Sequence, residues 1–97
     1  MLTMEEAKKV ALDELNRAQR DAGELVILDE YTRAKPYGWV FFYNTRDFIE
    51  TGNILFALGG NGPLIVEHNK RIHMLGTAHS SDDSIATLER KRGWRGQ

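Results

Sequence analysis

Cysteine is absent from this chain of 97 residues, and proline occurs only twice. The first absence excludes disulfides, thiol catalysis and thiolate metal sites together. It also fits a reducing cytoplasm. No apolar run approaches the roughly 20 residues that span a bilayer. The first twenty residues are charged and amphipathic, without the apolar core of a signal peptide. A soluble cytoplasmic protein with no membrane association is expected. Reactive constellations are scarce as well. His68, His73 and His79 stand at no close ligand spacing and form no HExxH pair, so neither a metal nor a cofactor is expected. Ser80 and Ser81 adjoin His79 without a nucleophile-elbow turn. Asp82 and Asp83 read as first-turn charges of a helix rather than catalytic carboxylates. Catalysis is not expected.

Charge is present but unevenly placed. Residues 1–89 hold all fourteen acids and nine of the thirteen bases, a balance of −5. Arg90, Lys91, Arg92 and Arg95 add +4 within the last eight residues. An acidic body attracts basic partners and repels phosphates, so nucleic acid is not an expected partner. The basic cluster is read mainly as a complement to the negative end of a C-terminal helix.

The length fits one domain. Thr3 and Glu6 form a capping box, with Leu2 and Ala7 as a staple across it. Ala7, Val10, Ala11, Leu15, Ala18 and Ala22 then recur at three- and four-residue spacing, predicting a packing helix that Gly23 stops. Glu5 with Lys9 and Asp13 with Arg17 are expected ion pairs on its wet side. Residues 25–33 read as one strand, and Ala34 to Gly38 as the turn out of it. Trp39 to Tyr43 is apolar on both faces, which marks a central strand. Trp39 and Tyr43 are balanced between core and an exposed binding stripe. Thr45 caps a short helix, Arg46 to Thr51, ended by Gly52, and Asn53 opens a further brief turn. Gly59-Gly60-Asn61-Gly62-Pro63 delivers the chain into Leu64 to Glu67. A two-residue turn at Asn69-Lys70 would set His73 opposite Val66 in the next strand. Ser80 or Ser81 caps a last helix with Ile85 and Leu88 turned inward. The class is α+β: an N-terminal helix on a four-stranded antiparallel sheet, a short helical insert between the second and third strands, and a C-terminal helix. The domain is placed at residues 1–92, with 93–97 as a flexible basic tail.

The glycine-rich loop precedes a strand rather than a helix and has no following lysine, so it makes a poor phosphate cradle. Its value lies in its company. Tyr37-Gly38-Trp39, the run Thr45 to Gly52, Gly60-Asn61-Gly62-Pro63-Leu64-Ile65-Val66 and Leu75-Gly76-Thr77-Ala78 together resemble the YrhB-type immunity protein 35 family. The family's tryptophan falls on Trp39 and its G-x-x-P motif on Gly60 and Pro63, positions read as structural. The segment between Val66 and Ile72 is shorter than the family's usual hairpin.

The resemblance implies a bacterial immunity protein that binds a cognate polymorphic toxin domain and blocks it by stoichiometric occlusion. Neighbouring toxins in such systems include papain-like peptidase or deamidase domains. A monomer or weak homodimer is expected. Tyr37, Trp39, Asp47, Glu50, Asn61 and Glu67 are the candidate interface, chosen as polar or amphipathic positions beside the irregular loops. Two other classes stay open: a chaperone-like or peptide-binding module, and a small-molecule-binding domain.

Overall fold

The computed structural model describes residues 2–19, 21, 23–57, 62–76 and 80–94. Three α-helices and six strands lie among them: α1 (Met4–Ala18), β1 (Leu25–Ile27), β2 (Arg33–Lys35), β3 (Gly38–Phe41), β4 (Tyr43–Thr45), α2 (Arg46–Thr51), β5 (Leu64–Glu67), β6 (Ile72–Met74) and α3 (Ser81–Arg92). Single 3₁₀ turns occupy Asp29–Tyr31 and Ile54–Phe56. A four-stranded antiparallel sheet runs in the order β2-β3-β5-β6, and β1 pairs with β4 in a second, two-stranded ladder. The expected α+β architecture is therefore present, with helix, sheet, insert and final helix in the expected order.

The helix termini follow local chemistry. The Thr3 amide donates to Glu6 Oε1 at 2.9 Å and the Glu6 amide to Thr3 Oγ1 at 3.2 Å, closing the capping box. Ala7, Ala11 and Leu15 are buried on the sheet, and the small alanines let α1 lie close to it. Two details of the sequence reading need correction. The helix ends at Ala18 with Gln19 as its cap, before Gly23, because its inward residues run out at Leu15 and Ala18 is exposed. Lys9 pairs with Asp13 and Arg17 with Glu14, not Glu5 with Lys9 and Asp13 with Arg17.

The sheet is covered on both faces. Trp39, Phe41, Leu64 and Val66 face α1, while Val40 and Ile65 meet Ile85 of α3. This is the two-sided burial expected of the aromatic run. The run is nevertheless broken. Residues 25–33 and 39–43 are not single strands, because the register steps from Ile27↔Tyr43 to Arg33↔Val40. Residues 28–32 thus loop out against 41 and 42, as a large bulge does. The acids Asp29 and Glu30 fit a strand poorly, and Asp29 is held instead by Lys8 of α1 at 2.7 Å. Leu28 still donates its amide to Phe42 O at 2.8 Å, which stitches the two ladders together.

The β5–β6 hairpin also departs from expectation. Ile65 pairs with His73 and Val66 with Ile72, so His73 does not lie opposite Val66. Glu67 bonds to Arg71 across a three-residue loop, and Lys70 takes a positive φ of 72° as the extra residue. That one residue shifts every facing and turns His73 toward α3.

The chain's end is part of the fold as far as Trp94. Gly93 adopts a left-handed φ of 70°, and the Trp94 amide returns to Glu89 O at 2.9 Å. The indole then stacks on Tyr37 with ring centroids 4.1 Å apart. Gly93 and Trp94, read from the sequence as the start of a flexible tail, are thus packed against the domain. Residues 95–97 lie outside the described part.

Candidate partner-binding surface

Of the six residues proposed from sequence, the five that are described do not form one surface. Trp39 is only 8% exposed, beneath α1, and its ring meets His68 edge-on. It belongs to the core and cannot serve as an exposed stripe; Tyr43 is buried beside it. Glu67 is largely buried and engaged, with Oε2 at 2.7 Å from His73 Nε2 and 3.9 Å from Arg92. Tyr37 is partly covered by Trp94 and donates its hydroxyl to Glu89 Oε2 at 2.8 Å. Asn61 and Gly60 lie outside the described residues. Only Asp47 and Glu50 stand exposed together, both on α2.

Tyr37 and Glu67 instead belong to a polar layer that fastens the end of α3 to the sheet. Lys35 Nζ lies 3.4 Å from the same Glu89 oxygen that Tyr37 reaches. Trp94 adds an edge contact to His73, and the Arg92 guanidinium lies over the indole. Burial first, and then the Glu89 carboxylate, push the Tyr37 phenol well above its usual range. Such a layer holds a helix in place. Its groups are directed at one another rather than at solvent.

The glycine positions have an equally structural reading. A Cβ on Gly38 would run into the Val66 carbonyl and come within 2.8 Å of Glu67 Cα. A Cβ on Gly62 would meet the carbonyl oxygens of Leu75 and Gly76. Pro63 is fully buried and its carbonyl accepts from the Leu75 amide at 3.0 Å. The described end of the glycine-rich loop is therefore a place of close backbone approach.

The insert between β4 and β5 is different. Thr45 caps α2 through the Phe48 amide at 3.1 Å, and Gly52 ends it in the left-handed region. Thr51 Oγ1 donates to Asp47 O at 2.7 Å and accepts from the Asn53 amide. Asn53 Oδ1 then caps the next 3₁₀ turn through Leu55. This tightly bonded piece buries no residue of α2. It presents Ile49, Ile54 and Leu55 to solvent, the last two 74% and 85% exposed. Sequence reasoning named Asp47 and Glu50 but passed over these three. The available signal was length: a six-residue helix between a cap and a glycine has little face to bury.

A cleft of about 350 Å³ lies beside the 28–33 bulge, lined by Leu28, Glu30, Tyr31, Thr32, Arg33 and Phe42. Arg33 there is already held by Asp82 at 2.6 Å. Among the described residues, no helix is long and apolar enough to cross a membrane.

Comparison with known proteins places these features in a family context. The model of the family described as Immunity protein 35 matches residues 5–90. An Escherichia coli K12 protein named only as "Uncharacterized protein YrhB" is 38% identical over 56 residues, covering 57% of this chain and 60% of that protein. The match thus spans less than two thirds of either chain. No solved structure matches.

Proposed function

The chain belongs to the immunity protein 35 family, and from that premise we propose that it binds a cognate polymorphic toxin domain and neutralises it by stoichiometric occlusion. The observation that carries the reading is the pairing of family membership with a short insert that exposes apolar side chains beside carboxylates. The protein acts without catalysis of its own, in the cytoplasm of the cell that makes the toxin. Occlusion needs shape and charge complementarity, and the acidic balance of residues 1–89 speeds encounter with a basic partner.

Co-expression tests this directly. The toxin domain encoded beside this chain's gene is induced with and without the chain, and growth is followed. Rescue by this chain, but not by an unrelated small protein, is the expected result. Failure to rescue while both proteins accumulate contradicts the proposal. Weak binding to many unfolded proteins, with no saturable partner, would point instead to a chaperone-like module.

A further inference from the structure

We propose that the insert formed by α2 and the 54–56 turn is the docking surface, and that the partner presents an apolar depression rimmed by lysine or arginine. The inference rests on the immunity reading and adds the face and the partner's chemistry. Exposed apolar residues scattered singly need no explanation. Met4, Tyr31 and Met74 are of that kind, each on a separate element. Ile49, Ile54 and Leu55 lie on two consecutive elements, α2 and the 54–56 turn that follows it after two residues.

The internal bonding of the insert sharpens the argument. Caps at Thr45 and Asn53, and the hydroxyl of Thr51 between them, hold a piece that contributes little to the core. Such a piece offers a backbone already held by local bonds, and pre-ordering lowers the entropy lost on binding.

Charge selects the occupant. Arg46 is engaged by Glu24 at 2.7 Å and is only a more distant charge neighbour of Glu50, so neither Asp47 nor Glu50 forms an ion pair among the described residues. Glu24, Arg46, Asp47 and Glu50 together carry −2. A second copy docking through the same face about a two-fold axis would set these carboxylates against each other. A basic rim around an apolar centre satisfies both features at once.

The test measures binding of the purified toxin domain encoded beside the gene, by surface plasmon resonance at two salt concentrations. Wild type is compared with Leu55→Asp, with the pair Asp47→Lys and Glu50→Lys, and with Tyr31→Asp as a control on a different exposed site. All four side chains are exposed, and circular dichroism checks that each variant is folded. Leu55→Asp is expected to weaken binding by about 30-fold or more. The double lysine variant is expected to slow association by about tenfold at low salt and to remove its salt dependence. Tyr31→Asp is expected to bind within about threefold of wild type. Tight wild-type binding that the insert variants retain overturns the docking face and leaves the immunity reading standing. No wild-type binding overturns both. A dimer of this chain that Leu55→Asp dissociates would overturn the proposed occupant in favour of a second copy.

Discussion

At Gly38 the backbone of β3 runs so close to β5 that no side chain fits, and its φ of 154° lies where only glycine is comfortable. Gly38→Ala is expected to cost about 2 kcal/mol or more, because backbone atoms of Val66 and Glu67 must move. A urea titration checks it, and an unchanged midpoint would contradict the contact. Tyr37 makes a second residue-scale prediction. Its phenol is raised by burial and by the neighbouring Glu89 carboxylate, so the fold favours the protonated form. That contribution is complete below the ordinary phenol value of about 10 and is lost as pH rises through the higher folded value. The urea midpoint is expected to fall above about pH 10, and Tyr37→Phe to flatten that fall. Parallel pH curves for the two proteins would show that Tyr37 is not responsible.

Elements differ in how openly the sequence announces them. α1, α2 and α3 were legible because Thr3, Thr45 and Ser80 are caps whose bonds are local. Thr3→Ala is accordingly expected to cost about 1 kcal/mol, read from thermal unfolding. The Glu6 carboxyl is held below its ordinary range by the Thr3 amide, so its contribution to the cap is present above the ordinary carboxylate value and fades as pH falls. The strand pairings were less legible. The bulge at 28–32 is accompanied by a contact from Lys8 of another element to Asp29, and the hairpin register goes with a positive φ at Lys70. Neither the contact nor the positive φ can be read from the strand pattern alone. The packing of Gly93 and Trp94 beyond α3 was missed for a related reason. Gly93 and Trp94 look like a loose tail until Tyr37, more than fifty residues earlier in the chain, supplies the ring to stack on. Trp94→Ala is expected to lower stability by about 1–3 kcal/mol through the lost stacking and burial. A stability equal to wild type in urea would show that the contact does not hold α3 in place.

Across the whole molecule, a sheet packed between α1 and α3 consumes most of the aromatic and aliphatic residues that drew attention in the sequence. Trp39 was ambiguous in sequence because an apolar residue on a two-faced strand looks the same whether a helix or a partner covers it. The family resemblance was legible because it rests on the order of several motifs along the chain. The proposed docking face was not, since the exposure of Ile54 and Leu55 becomes visible only in the folded chain. The proposed function therefore reduces to one claim: the chain silences a toxin domain by occupying it stoichiometrically. Titrating purified chain into a fixed amount of that domain, while following the domain's activity, tests this most directly. The account predicts a linear loss of activity that ends at one equivalent. Undiminished activity at excess chain, or complete loss at a small fraction of an equivalent, would contradict it.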